Sequence, residues 1–382
     1  MKTYLFPGQG SQHIGMGENL FDTFPDMTAT ADAILGYSIK ELCLQDPNRQ
    51  LGRTQYTQPA LYVVNALAYR QQLKDTGEHP DFVAGHSLGE YNALESAGVI
   101  RFEDGLKLVK KRGELMSTAP KGAMAAIIGL TSDKISDILA DNGLTSIDIA
   151  NYNAPTQTII SGLEADIQNA QTYFEQEQAM FIPLNVSGAF HSRYMQPVQN
   201  EFSQFLNNFT FAAPKIPVIA NIHALPYQAD SIARNLADQL THSVRWLDSI
   251  HYLLQQGDMD FLELGPGDVL SKLIRSIKSQ FKPNTVAQSS QPSPAPKSAD
   301  NQTTTQPDRK QDLKTPQQRV IDWNRSYPIG TQVNAKGYDE ILTTKTQAVI
   351  LFGHRAAIYM QGYNGYFALD EVEPVKHAAT PA

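Results

Sequence analysis

The chain has little cysteine, no long apolar run and no excess of basic residues, and each shortage excludes a class of protein. Cys43 is the single cysteine among 382 residues, so no disulfide can form within the chain. Its apolar, helix-like surroundings predict a core side chain rather than a thiol nucleophile. No stretch approaches about 18 uninterrupted apolar residues, so we expect no membrane-spanning segment. The net charge of -8 argues against a general nucleic-acid binder, which would carry a basic stripe. We therefore expect neither nucleic acid nor a membrane as a partner.

Residues 1–17 lack two further patterns. The apolar run at 1–8 is too short, and too soon interrupted by proline, for a signal peptide, so a cytoplasmic enzyme is expected. The glycine-rich loop that follows has Met16 where a P-loop needs lysine, and His13 where a dinucleotide fingerprint needs its third glycine. Instead of nucleotide binding, we expect this loop to bring Gln9 and its backbone against a neighbouring site.

A nucleophile elbow is predicted at Gly85-His86-Ser87-Leu88-Gly89. A short apolar run precedes this G-x-S-x-G pattern and a helical pattern follows at 91–97, which is the strand–turn–helix context the elbow requires. The turn is sharp, so its flanking positions lack side chains, and Ser87 projects from its tip. The following helix directs backbone N–H groups at an oxyanion formed there. Adjacent residues in a tight turn point apart, so His86 is expected to be structural.

Arg112 is predicted to point into the core from a helix at 103–119. At 100° per residue it lies within the apolar arc of that helix, whereas Lys110 and Lys111 lie outside it. A buried cation needs a partner or a ligand. Two interpretations remain open here: an ion pair within the fold, or a guanidinium that binds a substrate carboxylate bidentately.

The region 123–187 predicts an inserted subdomain. Its strands and helices follow the order β-α-β-β-α-β, which is the ferredoxin-like pattern. Parts of a larger α/β unit are predicted on both sides, at 1–122 and 188–279. The helices and strands expected in that unit lie at 3–6, 32–44, 59–73, 82–84, 103–119, 198–209, 218–220, 233–240, 246–255 and 261–264, followed by a basic helix that contains Lys272, Arg275 and Lys278.

His191 is the candidate base for the serine. A serine nucleophile needs a base, which is usually histidine, and the chain has nine histidines. His191 follows a predicted strand end and a glycine, in the kind of connection where catalytic residues collect. The alternative is a loop histidine without a role.

The composition changes near residue 280. Pro, Ser, Thr, Gln and Lys dominate, and no aromatic occurs between Phe281 and Trp323, so 280–318 is predicted to be a disordered linker. A small β-rich module is expected at 319–376, with strands at 348–352 and 356–360 and a hairpin at Asn364-Gly365. Its aromatic side chains are expected to form a core rather than a ligand platform.

Four motifs in order resemble the malonyl-CoA:acyl carrier protein transacylase family over about residues 1–280. They are Phe6-Pro7-Gly8-Gln9-Gly10-Ser11-Gln12, Gly85-His86-Ser87-Leu88-Gly89-Glu90, Arg112 and Gly188-Ala189-Phe190-His191-Ser192. Longer stretches, at 57–67 and 185–195, resemble the free-standing acyltransferases that serve polyketide synthases without built-in ones. The resemblance implies an α/β-hydrolase-like core with a parallel sheet and the ferredoxin-like insert.

The resemblance also implies roles for individual residues. Ser87 is the nucleophile and His191 the general acid–base of a Ser–His dyad, while Arg112 binds the malonyl carboxylate. The remaining implied positions are the backbone N–H groups of Gln9 and Leu88 in an oxyanion hole, the main-chain carbonyl of Gln239 that orients the histidine, and Phe190, which favours malonyl over methylmalonyl. The family often has histidine where this chain has Gly188.

The implied reaction is a ping-pong transfer of malonyl from malonyl-CoA to the phosphopantetheine thiol of an acyl carrier protein, in polyketide biosynthesis. Malonyl-CoA is then a substrate, and no cofactor or metal is expected. Three alternatives stay open: an acyl hydrolase that clears carrier proteins, malonyl transfer for fatty acid synthesis, and a scaffold that docks on a polyketide synthase through the C-terminal module. The arginine favours transfer over hydrolysis, because hydrolytic relatives tend to lack it.

Overall fold

The computed structural model describes residues 1–281, 316–336, 338, 340–351, 355–361 and 366–375. The chain divides into two compact units, Met1–Ala287 and Gln288–Ala382. The strands of the first unit are β1 (Lys2–Phe6), β2 (Phe82–Gly85), β3 (Ala123–Ile128), β4 (Asp148–Ala154), β5 (Gln157–Gly162), β6 (Met180–Pro183), β7 (Val218–Ile219) and β8 (Asp260–Glu263). Its helices are α1 (Leu20–Thr23), α2 (Pro25–Leu35), α3 (Ile39–Leu44), α4 (Thr54–Thr76), α5 (Gly89–Ser96), α6 (Phe102–Ser117), α7 (Ser132–Asp141), α8 (Glu164–Gln176), α9 (Gln196–Leu206), α10 (Ile232–Asp238), α11 (Trp246–Gln255) and α12 (Val269–Gln280).

A parallel four-stranded sheet forms the centre of the first unit, in the order β7-β2-β1-β8. Strands β7, β2 and β1 are mostly apolar and buried, as expected when helices cover both faces of a parallel sheet, whereas β8 at the edge is exposed or only partly buried. Phe6 at the end of β1 is in register with Gly85 at the end of β2. The loop after β1 and the turn after β2 therefore leave the same edge of the sheet, where α/β proteins place their sites.

The segment 123–183 forms a separate antiparallel sheet in the order β4-β5-β3-β6. Its chain order is β3, α7, β4, β5, α8, β6, which is the β-α-β-β-α-β order predicted from the sequence. This sheet and its two helices have a hydrophobic core of their own, which includes Ile127, Ile160 and Phe174. The chain returns from β6 towards the central sheet through the segment that contains His191.

Two helix predictions differ from the structure. The single helix expected at 32–44 is interrupted, because Gly36 takes a φ of 85° and ends α2. The side chain of Ser38 then caps α3 by accepting from the N–H of Glu41. The helix expected at 59–73 is longer than predicted, since α4 begins at Thr54 and includes Pro59. Cys43 is buried, in agreement with its predicted place in the core.

The second unit contains a helix, α13 (Pro316–Ser326), followed by short strands. These strands are β9 (Gln332–Ala335), β10 (Leu342–Thr343), β11 (Val349–Leu351), β12 (Arg355–Tyr359), β13 (Tyr366–Ala368) and β14 (Val372–Pro374). They pair as two antiparallel sheets, β10-β9-β14 and β11-β12-β13. The predicted strands at 348–352 and 356–360 correspond to β11 and β12, but α13 was not predicted. Most of the predicted linker and the Asn364-Gly365 hairpin lie outside the described residues.

The aromatic side chains of the second unit differ in burial. Trp323 is buried in a small core, and Tyr327 and Phe367 pack against it, whereas Tyr338 is exposed. The described residues therefore agree only in part with a module whose aromatic residues all form a core. Among the described helices of the chain, none combines the length and the apolar character needed to cross a bilayer.

Candidate active site

Ser87 lies on a tight turn between β2 and α5 with a φ of 51°. Close packing of backbone explains the two glycines: a Cβ on Gly85 would lie 2.0 Å from the carbonyl carbon of Gly89, and a Cβ on Gly89 would lie 2.0 Å from the carbonyl oxygen of Phe6. Side chains from elsewhere in the chain hold the backbone of the serine. Its N–H donates to Oδ1 of Asn221 (2.7 Å), and its carbonyl accepts from Nε2 of Gln239 (2.9 Å).

The structure brings His191 against Ser87, with 2.7 Å between Oγ and Nε2. Nδ1 of His191 lies 2.8 Å from the main-chain carbonyl oxygen of Gln239. Because a carbonyl only accepts, Nδ1 carries the proton and Nε2 is free to accept from the serine hydroxyl. Burial, together with the positive charge of Arg112, lowers the pKa of His191 to about 3. The imidazole is therefore neutral near pH 7 and available as a base.

Arg112 is buried, with 1% of its surface exposed, and reaches the same point from α6. Its Nη2 donates to Oγ of Ser87 (3.1 Å) and to Oε1 of Gln239 (2.8 Å), and its Nη1 donates to Oε1 of Gln58 (2.8 Å). Its Nε makes no hydrogen bond of normal geometry to any described residue. No salt bridge joins Arg112 to an acidic residue in the described part of the chain, and burial lowers its pKa. Among the described residues, Arg112 therefore has no direct ion-pair partner, although the buried Glu90 carboxylate lies near enough to raise its pKa against the effect of burial.

The backbone N–H groups of Gln9 and Leu88 donate no hydrogen bond within the described ranges. Leu88 directly follows the serine at the start of α5, and Gln9 lies on the loop after β1, at the sheet edge shared with β2. The Gln9 side chain is directed to Oγ1 of Thr54 (3.4 Å). Unpaired backbone donors at a nucleophile are the groups that can receive a developing negative charge.

Phe190 is buried immediately before the histidine. A Cβ at position 188 would lie 2.8 Å from Cε1 of the Phe190 ring. A residue larger than glycine at position 188 would therefore require the Phe190 ring to shift.

His86 does not join the serine. Its Nε2 lies 2.9 Å from Oδ1 of Asn153, its ring packs against Trp246, and burial lowers its pKa. Because Asn153 belongs to β4, this contact links the central sheet to the antiparallel one.

Three residues near the site were not selected from the sequence. Glu90, Asn221 and Tyr227 form a buried hydrogen-bonded group beside Gln239. The available signals were an acidic residue directly after the elbow, and an asparagine just beyond the end of the predicted strand at 218–220.

The first unit also contains a cavity of about 320 Å³ with a lining of mixed polarity. Its lining residues are Gly52, Arg53, Thr54, Gln55, Ser117, Asn185, Val186 and Ser187. Thr54 binds the Gln9 side chain, and Ser187 belongs to the segment that leads into His191. The cavity is thus connected to Gln9 and His191 through neighbouring residues, whereas Ser87, His191 and Arg112 do not line it.

A serine on an elbow, a neutral histidine and a buried arginine on an α/β fold define a serine acyltransferase. In agreement, residues 3–312 match the family described as the acyl transferase domain, and the chain belongs to that family. Within it, the chain belongs with the malonyl CoA-acyl carrier protein transacylases, as three comparisons indicate.

The first relative is the polyketide biosynthesis malonyl CoA-acyl carrier protein transacylase BaeC of Bacillus velezensis, which is 58% identical over 282 residues, or 73% of this chain and 98% of the relative. The crystal structure of malonyl CoA-acyl carrier protein transacylase from Burkholderia pseudomallei is 51% identical, with a TM-score of 0.72 over 74% of this chain and 99% of that one. The third is a chain from a solved complex of a type II polyketide synthase acyl-carrier protein with its malonyl-transacylase, 34% identical, with a TM-score of 0.69 over 73% of this chain and 93% of that one.

Proposed function

We propose that this chain is a malonyl-CoA:acyl carrier protein transacylase that works through a malonyl-serine intermediate at Ser87. The observation that supports it most is Arg112, a buried cation 3.1 Å from the serine oxygen with no acidic partner within salt-bridge distance in the described residues. An acyl group with a free carboxylate supplies that partner. A simple acyl chain leaves the charge unpaired, which costs several kcal/mol at a buried site, about 3–5 by analogy with broken buried ion pairs.

In the first half-reaction, Oγ of Ser87 attacks the thioester carbon while its proton passes to Nε2 of His191. The C–S bond then breaks, and His191 gives the proton to the departing CoA sulfur. In the second half-reaction the carrier thiol gives its proton to His191, its sulfur attacks the ester carbon, and the proton returns to Oγ as the C–O bond breaks. The 2.7 Å contact between Oγ and Nε2 supports this assignment.

The N–H groups of Gln9 and Leu88 are proposed to form the oxyanion hole in both half-reactions. They donate no hydrogen bond among the described residues; Leu88 directly follows the serine, and Gln9 lies on the loop that leaves the same sheet edge. One such donor contributes roughly 2.7–4 kcal/mol to transition-state stabilisation. The main-chain carbonyl of Gln239 holds the histidine in the tautomer that this chemistry needs, without an acidic third member of a triad.

Phe190 is proposed to limit the space beside the α-carbon of the acyl group. Exclusion of a single methyl group by shape is worth about 1–3 kcal/mol. We therefore expect weak discrimination between malonyl and methylmalonyl, and strong discrimination against acetyl through Arg112.

The second substrate is proposed to be the phosphopantetheine thiol of an acyl carrier protein in a polyketide pathway. Two of the relatives support this choice: one is named for polyketide biosynthesis, and the other was solved with a polyketide synthase carrier protein. The cavity that Ser187 lines has amide and hydroxyl groups that suit the amides of a pantetheine arm. The second unit of the chain is proposed to recruit a polyketide synthase, and 123–187 is proposed to be the ferredoxin-like subdomain of the transacylase.

Intact mass of a holo carrier protein after incubation with malonyl-CoA and enzyme tests the proposal. Gain of one malonyl group is expected. Acyl hydrolysis predicts the opposite, namely loss of acetyl from an acetylated carrier without gain of malonyl, and that result would refute transfer.

A further inference from the structure

Glu90 is a buried carboxylate that takes no part in the steps above. It lies on the first turn of α5, with 1% of its surface exposed. Oε1 accepts from the backbone N–H of Asn221 (2.8 Å) and from the hydroxyl of Tyr227 (2.9 Å), and Oε2 accepts from Nε2 of Gln239. All three contacts come from donors, which is the environment that a carboxylate requires.

Two of these donors belong to residues that hold the nucleophile. Asn221 accepts from the N–H of Ser87 with its side chain, and Gln239 donates to the carbonyl of Ser87. Ser87 needs this support because a non-glycine residue with a φ of 51° occupies a sparsely populated conformation. Glu90 is therefore hydrogen-bonded to the residue that binds the N–H of Ser87 and to the residue that binds its carbonyl.

The same carboxylate is one of three groups that orient the Gln239 amide, together with Arg112 and the Ser87 carbonyl. Arg112 only donates and an ionised Glu90 only accepts, so Oε1 of Gln239 must face the arginine and Nε2 must face the glutamate. The Ser87 carbonyl, which also only accepts, favours the same orientation of the amide. A neutral Glu90 would weaken the contact that holds Nε2 of Gln239, so the placement of Gln239, and through it of Arg112 beside Oγ of Ser87, responds to the charge of Glu90.

We propose that Glu90 is a positioning residue for the reaction, which acts through Gln239 and Asn221 to hold Arg112 and Ser87 in the arrangement that selects a carboxylated acyl group. The side chain of Gln239 lies between Glu90 and Arg112, and this separation matters. A carboxylate in direct contact would neutralise Arg112 and compete with the substrate, whereas Glu90 balances the buried charge through the intervening amide and leaves the guanidinium open to the ligand.

The test, which rests on the proposed function, is Glu90→Gln, with kcat and KM measured for serine loading from malonyl-CoA and acetyl-CoA. The malonyl-to-acetyl ratio of kcat/KM is expected to fall about 10- to 100-fold, mainly through a higher KM for malonyl, as for loss of a hydrogen bond to a charged group. The matched control is Glu95→Gln, the same change on the same helix. Glu95 is also buried but pairs with Arg70, so this variant should keep the wild-type ratio.

A folded Glu90→Gln protein with an unchanged ratio would overturn the inference. If that variant does not fold, Tyr227→Phe decides, because it removes one donor and keeps the carboxylate. A fall of about 2- to 10-fold in kcat/KM for malonyl without a similar fall for acetyl supports the inference. Equal changes in kcat/KM for malonyl and acetyl contradict it. Failure of the wild-type protein to load malonyl at all would instead refute the proposed function.

Discussion

Oγ of Ser87 lies 2.7 Å from Nε2 of His191, and both residues have positive φ angles, of 51° and 57°. Neither is glycine, so each conformation is held at a cost on the order of 1–3 kcal/mol. The two residues are 104 positions apart in the chain. Both partners of the contact at which proton transfer is proposed therefore have a strained backbone, and the two strained sites come from distant segments.

The strain at the nucleophile gives a prediction about stability. Ser87→Gly and Ser87→Ala both remove the hydroxyl, but only glycine adopts positive φ without a penalty. We expect the glycine variant to be more stable than the alanine variant by about 1–2 kcal/mol in the free energy of unfolding, measured with urea. Equal stabilities would show that the turn relaxes around alanine. Neither variant should form an acyl-enzyme.

Replacement of Arg112 should change which acyl group is used. In Arg112→Ala the malonyl carboxylate loses its only proposed cation, so kcat/KM for malonyl loading should fall roughly 10²- to 10³-fold, with a much smaller effect on acetyl. Competition between malonyl-CoA and acetyl-CoA, read by intact mass, measures the ratio. Arg70→Ala is the control, since that arginine pairs with Glu95. A parallel loss for both substrates would contradict the role of Arg112.

Replacement of His191 should slow the reaction without weakening the binding of malonyl-CoA by Arg112. His191→Ala should slow malonyl loading by about 10²- to 10⁴-fold, as for loss of a general acid–base group. Arg112 remains in this variant, so the KM for malonyl-CoA should change little. Stopped-flow release of CoA measures the rate, and an unaffected rate would assign the base to another residue.

The pH dependence of malonyl loading should follow the ionisation of Glu90 rather than that of His191. The depressed pKa of His191, about 3, keeps the imidazole neutral throughout pH 5–8. Burial raises the pKa of Glu90 to about 7, against the hydrogen bonds from Asn221, Tyr227 and Gln239 and the charge of Arg112. The ionised carboxylate forms above that pKa, so kcat/KM for malonyl should rise as the pH increases through 7.

In Glu90→Gln this rise should disappear. If kcat/KM of that variant still rises through pH 7, a different group is responsible for the rise. The wild-type and variant profiles should be compared in buffers of equal ionic strength, so that the screening of exposed charges is the same in both.

Selectivity at the α-carbon should respond to Phe190. Phe190→Ser should raise kcat/KM for methylmalonyl relative to malonyl by about 5- to 100-fold, the effect of about 1–3 kcal/mol for a single methyl group. Competitive loading from the two CoA esters measures this ratio. No change would mean that another side chain limits the space beside the acyl group.

A protein that ends at residue 281 should separate the two units functionally. Malonyl loading and transfer to an isolated carrier protein should persist, because the described site lies within residues 9–239. Transfer within a complete polyketide synthase should decrease if the second unit recruits it. Equal activity of the full-length and shortened proteins in both assays would contradict recruitment.

Local patterns predicted much of the fold. The β-α-β-β-α-β order of 123–187 is predictable because the signals of its elements, such as the amphipathic periodicity and threonine N-cap of α7, are encoded in adjacent residues. The helix α13 was missed, since it follows a polar segment and its few apolar residues, such as Val320 and Trp323, were assigned to a β-rich module. The break at Gly36 was missed because the apolar pattern continues across it.

The candidate site was predictable where residues lie in motifs and not where distant polar groups meet. The resemblance brought Ser87, His191 and Arg112 together, and the structure places them within 3.1 Å of a common oxygen. The contacts of Glu90 join three separate segments of the chain: α5, the connection between β7 and α10, and the end of α10. No spacing in the sequence shows which of these buried polar groups will pair.

Intact-mass analysis of the wild type and Ser87→Ala after exposure to malonyl-, methylmalonyl- and acetyl-CoA tests the central claim most directly. The account predicts a malonyl adduct on the wild type, a smaller methylmalonyl adduct, very little acetyl and no adduct on Ser87→Ala. Equal loading of acetyl and malonyl, or a malonyl adduct that persists in Ser87→Ala, would contradict it.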